Sequence, residues 1–247
     1  MRIIENPLQK QFSDFVNTIH QQFDKAGTVI YKKRNEVRVF NVSGVRINVK
    51  RFKKPHLINR IIYTFFRKSK AQRSFQYAIK LREMGFDTPE PVAYIHTKRN
   101  GLLHYSYYVS LQVDHYRSMV GFDEGEMNGC EYLLEAFATF TADLHEKGIY
   151  HKDYSSENIL FKEENEAVAF CLIDLNRMRF GRVPVLKGCA NFARLRVRRS
   201  FFEFIVRKYV EKRHADATRC LKKALKARRK YWKRFARKHP LPFVRDD

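Results

Sequence analysis

Residues 149–161 read IYHKDYSSENILF, and residues 168–174 read VAFCLID. The first stretch sets His151, Asp153 and Asn158 in the pattern His-x-Asp-x-x-x-x-Asn, and the second is an apolar strand that ends on Asp174. Around them the periodicity changes. A helix is expected at 131–147, where Leu133, Leu134, Phe137, Phe140, Thr141 and Leu144 share a broad face and Gly148 stops the run. The short strands ILF (159–161) and VAFCLI (168–173) follow, joined by a turn at 162–167, so that a hairpin carries Asp174 back beside the polar loop.

Phosphoryl transfer from ATP needs hard oxygen ligands for magnesium and a carboxylate that accepts a hydroxyl proton. Asn158 and Asp174 are the candidate metal and cofactor-binding residues, and Asp153 is the candidate catalytic base. His151 is expected to brace the loop.

Upstream, a helix is expected at 7–23, where Phe12, Phe15, Val16, Ile19 and Phe23 recur at three- and four-residue steps. The period then drops to two in TVIY (28–31), VRVFNV (37–42) and VRINVKRF (45–52), which predicts a three-stranded meander. A helix at 69–84, capped by Ser69 and closed by Gly85, precedes two more strands, PVAYIHT (91–97) and LLHYSYYVSL (102–111). In VRINVKRF the alternation turns Lys50 to the face opposite Val45, Ile47 and Val49, which makes it the candidate nucleotide-binding lysine.

The expected architecture is α+β and protein-kinase-like in two lobes. Residues 1–112 form a nucleotide-binding lobe, a five-stranded antiparallel sheet with one inserted helix and a leading helix; residues 113–247 form a mainly helical catalytic lobe with a basic tail, and the cleft lies between them.

The 247 residues are 44% apolar and 14% aromatic, a composition that excludes disorder and low complexity. A formal charge of +23 is concentrated late in the chain, where residues 194–238 hold 19 Lys or Arg against three acids. Such a tail seeks a polyanion. In the last helix, expected to end before Pro240 and Pro242, Leu221, Leu225, Trp232 and Phe235 make an apolar stripe beside a cationic face of Lys222, Lys223, Lys226, Arg229, Lys230, Lys233 and Arg237. That face is expected to dock on an anionic membrane surface. The N-terminus lacks the apolar core of a signal peptide, no run is apolar enough to span a bilayer, and Cys130, Cys171, Cys189 and Cys220 lack metal-site spacing, so the protein is expected in the cytoplasm with reduced thiols.

The chain resembles the bacterial lipopolysaccharide kinase family, protein-kinase-like enzymes that include Kdo and heptose kinases of the lipid A core. The resemblance runs from about Asn35 to Gly181 and rests on VKRFKKP (49–55), SKAQRSFQYAIKLREMGFDTPEPVAY (69–94), HKDYSSENIL (151–160) and LIDLNRMRFG (172–181). It implies transfer of the γ-phosphate of ATP, with Mg²⁺, to a sugar hydroxyl of a membrane-anchored saccharide at the cytoplasmic face of the inner membrane. Three departures stand out: Asp174 is followed by Leu175 and Asn176 where protein kinases have Phe-Gly, the first hairpin lacks a glycine-rich loop, and Ser74 replaces the helix Glu that pairs with the strand lysine. Arg177, Arg179 and Arg182 are candidates for an acidic sugar or its phosphates. Other readings remain open: a pseudokinase scaffold, a kinase of a protein or small molecule, and a basic nucleic-acid-binding protein.

Overall fold

A computed structural model describes residues 1–120, 129–164 and 167–241. Two units divide the chain, Met1–Asp114 and His115–Asp247.

The first unit opens with strand β1 (Arg2–Glu5) and a helical turn at Pro7–Phe12, after which α1 spans Ser13–Gln22. The helix expected at 7–23 is therefore broken. Asn6 caps the first turn by accepting from the Leu8 amide at 3.1 Å, and Gln9 leaves helical geometry at φ −124°. Strands β2 (Thr28–Lys32), β3 (Glu36–Val42) and β4 (Val45–Phe52) form the expected meander. Helices α2 (Leu57–Phe65) and α3 (Lys70–Glu83) come next, then β5 (Pro91–Arg99) and β6 (Leu102–Leu111).

All strand pairs are antiparallel, in the order β1-β5-β6-β4-β3-β2. The sheet has six strands rather than five, and two helices rather than one stand between β4 and β5. β1 is too short to show a period, but it zips Arg2–Glu5 against His96–Ala93 at the sheet edge. Asn100 and Gly101, both at positive φ (54° and 72°), make the tight β5–β6 turn that the Asn-Gly pair favours.

Strand alternation sorts the core onto two faces. Phe12, Val16, Ile19 and Phe23 pack with Ile47, Val49, Ala93, Ile95, Tyr107 and Val109 on one side. On the other, Ala71 and Phe75 of α3 pack with Phe52 and Tyr94, and this is the face Lys50 shares. Ser69 caps α3 by accepting from the Gln72 amide at 3.1 Å, and its hydroxyl also meets His96 Nε2 at 2.7 Å.

In the second unit, β7 (Arg117–Ser118) precedes α4 (Glu131–Glu146), and β8 (Ile149–His151) leads into the polar loop. Strands β9 (Ile159–Glu164), β10 (Ala167–Leu172) and β11 (Met178–Phe180) follow, then helices α5 (Val185–Cys189), α6 (Arg199–Lys212) and α7 (Ala217–Ala236). The expectation of a mainly helical second half is corrected here: among the described residues, five short strands form a three-stranded sheet, β10-β9-β7, and a two-stranded one, β11-β8. Those strands hold the loop that a bundle of helices alone would leave unanchored. The centre of the expected turn, 165–166, and Pro242 lie outside the described residues.

The basic tail folds as separate helices. A strap outside any helix, residues 194–198, separates a turn at Ala190–Ala193 from α6, and Asp216 caps α7 by accepting from the Arg219 amide at 2.6 Å. On α7 the buried line is Cys220, Ala224, Arg228 and Trp232, at steps of four, so the stripe drawn through Leu221, Leu225 and Phe235 is displaced by about one residue and those three are half-buried. The seven cationic residues assigned to the outer face are all exposed. The four cysteines are free thiols, and Cys189 and Cys220, remote in sequence, are hydrogen-bonded neighbours where α5 packs on α7.

Candidate active site

A closing device at the end of α4 fixes the loop. Gly148 sits at φ +74°, and an added Cβ would lie 3.1 Å from the Gly181 carbonyl oxygen, while the Gly181 amide donates to the Gly148 carbonyl at 2.8 Å. From that contact β8 and β11 pair with His151 opposite Met178. The chain beyond Asp174 thus returns alongside the chain that enters the loop.

His151 is fully buried and bridges the two segments. Its Nδ1 accepts the Asp153 amide at 3.1 Å, so Nε2 carries the proton and donates to the Ile173 carbonyl at 3.1 Å. Burial pushes this imidazole down to about 4, and the hydrogen bond to Ile173 only partly opposes it. Burial likewise lowers His96 to about 4 and His145 to about 3. All three fold as neutral rings, whereas in the unfolded chain they take up protons near pH 6.5. Their contribution to stability is complete above about pH 6.5 and lost as pH falls from there towards 4. The melting temperature is therefore expected to be lower at pH 5 than at pH 7.5, and equal values would contradict the neutral assignment.

Asn158 spends its amide nitrogen within the loop, donating to the Asp153 carbonyl at 2.9 Å and to Ser155 Oγ at 3.3 Å. The side-chain oxygen is what remains for a cation. The β9–β10 ladder runs one step past Leu172–Ile159, because the Ile173 amide donates to the Asn158 carbonyl at 3.1 Å. Ile173 is thus bonded to both Asn158 and His151, and Asp174 follows it directly. Asp174 adopts the left-handed conformation, at φ 57° and ψ 46°, and its Oδ1 accepts from Asn176 Nδ2 at 2.5 Å. Asp tolerates that region better than most residues. With the left-handed step taken by Asp174 itself, Leu175–Arg177 form an ordinary helical turn, and no glycine is needed at 176.

The Asp153 carboxylate is held by two guanidinium groups: Arg177 Nη1 at 3.1 Å and, on the other oxygen, Arg194 Nη1. Arg194 stacks over the Tyr231 ring of α7, 5.0 Å from its centroid. Asp153, Arg194, Arg196, Tyr231, Trp232 and Phe235 line a cavity of about 140 Å³, together with Ser155 and Glu157. Arg196 Nη1 donates to Glu157 Oε1 at 2.9 Å. The strap bearing both arginines is tied down from α7, where the buried Arg228 donates to the Leu195 and Val197 carbonyls at 3.3 and 2.5 Å.

Of the residues picked from sequence, His151, Asp153, Asn158 and Asp174 therefore share one hydrogen-bonded assembly in the second unit. Lys50 belongs to the first unit, half-buried on β4 with Nζ 5.4 Å from the Phe52 ring centroid. Arg177 reaches Asp153, whereas Arg179 and Arg182 are exposed side chains. Arg194, Arg196 and Arg228 escaped the sequence reading, since in a tail with 19 basic residues none stands out. One signal was available: Arg228 falls four residues after Ala224 and four before Trp232, on the buried line.

No curated protein sequence matches the chain. Among solved structures it is similar to WaaP in complex with acyl carrier protein, at 17% identity and a TM-score of 0.64 over 96% of this chain and 99% of that one, a likeness of fold. The model of the lipopolysaccharide kinase (Kdo/WaaP) family matches residues 28–236. The chain belongs to that family of kinases.

Proposed function

We propose that the protein transfers the γ-phosphate of ATP to a sugar hydroxyl of a lipopolysaccharide core or lipid A precursor. The observation that carries this is the bonding of Ile173 to both His151 and Asn158, which ties the Asp174 segment to the loop bearing Asp153. The donor set suits magnesium, pairing an amide oxygen with a carboxylate. Among the described residues no group of three or more His, Cys, Asp or Glu side chains could hold a metal, so most ligands would come from the nucleotide phosphates and water. Bound magnesium would neutralise phosphate charge.

Asp153 accepts the proton of the attacking hydroxyl as its oxygen bonds to the γ-phosphorus and ADP leaves. His151 positions the loop through its two ring nitrogens, Asn158 and Asp174 hold the metal, and Lys50 grips the nucleotide phosphates. The cavity beside Asp153 would receive the acceptor, with Tyr231 and Trp232 as apolar walls and Arg194 and Arg196 for anionic substituents, since guanidinium groups pair well with carboxylate and phosphate oxygens.

Among the described residues no helix is long and apolar enough to cross a membrane. The proposed location is the cytoplasmic side of the inner membrane, where the cationic face of α7 meets anionic lipid. WaaP has been seen with acyl carrier protein, and co-elution would establish whether this chain has a carrier-protein partner too.

Transfer of label from γ-labelled ATP to a core precursor, run at graded magnesium, tests the reading. For Asn158→Ala and Asp174→Ala the expected result is a loss at least as large as the roughly 10- to 100-fold that removing even an outer partner of a metal ligand costs, with more magnesium needed for half-maximal rate. A magnesium curve unchanged in both variants would remove them from metal binding.

A further inference from the structure

From Lys50 to Arg82 the chain contains 11 Lys or Arg and no Asp or Glu. In the middle of this acid-free stretch lies α2, and its orientation is inverted relative to an ordinary surface helix. Such a helix buries its apolar stripe and shows its polar side to water. Here the polar side holds the helix to the sheet. Arg60 Nε donates to the Leu103 carbonyl at 2.8 Å, Arg60 Nη2 to the Arg99 carbonyl at 2.9 Å, and Thr64 Oγ1 accepts the Leu103 amide at 3.0 Å. The apolar side is turned out, and no residue of α2 is buried.

Leu57, Ile58, Ile61 and Phe65 follow one another at steps that share a helical face, and Phe66 extends it. Their exposures are 61%, 73%, 40%, 68% and 81%. Basic residues flank the patch, with Lys53 and Lys54 exposed before it and Arg67 and Lys68 exposed after it. Beside the helix a cavity of about 360 Å³ is lined in part by Arg34, Lys53, Lys54, His56 and Lys70, and no carboxylate is among its lining residues.

We propose that α2 is a membrane-docking element, whose Leu57, Ile58, Ile61, Phe65 and Phe66 enter the acyl boundary of an anionic bilayer while the flanking Lys and Arg meet its phosphate headgroups. Exposed apolar patches of this kind mark interaction sites. Cations on the margins of an outward Leu, Ile and Phe face are the composition of a helix lying in a lipid interface, where long basic side chains reach the headgroups. Nucleic acid would use the charges and leave the five apolar side chains in water. An acidic protein surface is the remaining alternative, and the test separates it from lipid. The proposal is independent of the sugar-kinase reading and rests on different residues from the cationic face of α7.

The test is sedimentation of the purified full chain with vesicles of phosphatidylcholine alone or with added phosphatidylglycerol. The wild type is compared with an Ile58→Glu/Phe65→Glu/Phe66→Glu variant and with a Lys222→Gln/Lys223→Gln/Lys226→Gln variant. All six positions are exposed, so the melting temperature is expected to stay at the wild-type value, and phosphate transfer to a soluble, deacylated core saccharide is expected to stay with it. The expected result is partitioning of wild type onto anionic vesicles that falls about 10-fold or more in the α2 variant. The α7 variant should lose only the part that added salt also removes. Wild-type partitioning by the α2 variant would overturn the proposal, as would loss of a co-purifying acidic protein from that variant with its vesicle binding intact.

Discussion

Replacing Asp153 by Asn is expected to leave a folded protein whose rate of phosphate transfer falls by about 10² to 10⁴-fold, the range associated with losing a positioned general base. The substitution keeps size and shape. One side-chain oxygen remains to accept from an arginine, while the new amide nitrogen, a donor, faces the other guanidinium, so the pair Arg177 and Arg194 can no longer be satisfied on both sides. The loop itself should hold, because its anchors are the Asp153 amide on His151 and the Asp153 carbonyl on Asn158, and neither involves the carboxylate. The loss is therefore expected in kcat, with ATP affinity nearly unchanged. Steady-state transfer kinetics and a thermal melt check this together; a variant that melts like wild type and turns over like wild type would take Asp153 out of the mechanism.

The second large effect concerns stability. Arg228 is fully buried, donates to two strap carbonyls and lies with its guanidinium 4.8 Å over the Phe202 ring. Arg228→Met retains much of the volume and removes both hydrogen bonds. Two carbonyls would be left buried without their donor, at about 1 to 3 kcal/mol each, so a total of about 2 to 6 kcal/mol is expected. For a chain of this size each kcal/mol moves the midpoint by about 2 to 4 °C. Lys222→Ala, on the exposed side of the same helix, should change stability by no more than about 0.5 kcal/mol. If the two variants melt alike, Arg228 does not hold the strap. Because the strap carries Arg194 and Arg196, the Met variant should also lose affinity for an anionic acceptor before it loses affinity for ATP.

How much of this was legible in the sequence depends on the range of the interactions. Period and punctuation are local, so the meander, β5 and β6, α3 with its Ser69 cap, and α4 with its Gly148 stop could be read directly. The loop and Asp174 were legible because their spacing is short and the hairpin between them is two short apolar runs joined by a polar turn. β1 has four residues, too few to carry a period, and it exists because β5 offers an edge. Helix α2 was missed for a related reason: HLINRIIYTFF is apolar on more than the side that a core would bury, and only the structure shows that side turned outward. The basic tail was the least legible. Charge marks a residue as polar but does not distinguish a solvated lysine such as Lys222 from Arg228, whose partners are carbonyls about 30 residues away, at |i−j| of 33 and 31.

The central claim, that the assembly of Asp153, Asn158 and Asp174 phosphorylates a saccharide, is tested most directly by mass spectrometry of a lipopolysaccharide core precursor after incubation with the protein, ATP and Mg²⁺. The expected result is the gain of one phosphate on a sugar hydroxyl with wild type and a gain reduced by at least about 10²-fold with Asp153→Asn. Phosphate on the protein alone, or an unmodified saccharide under conditions where ATP is bound, would contradict it.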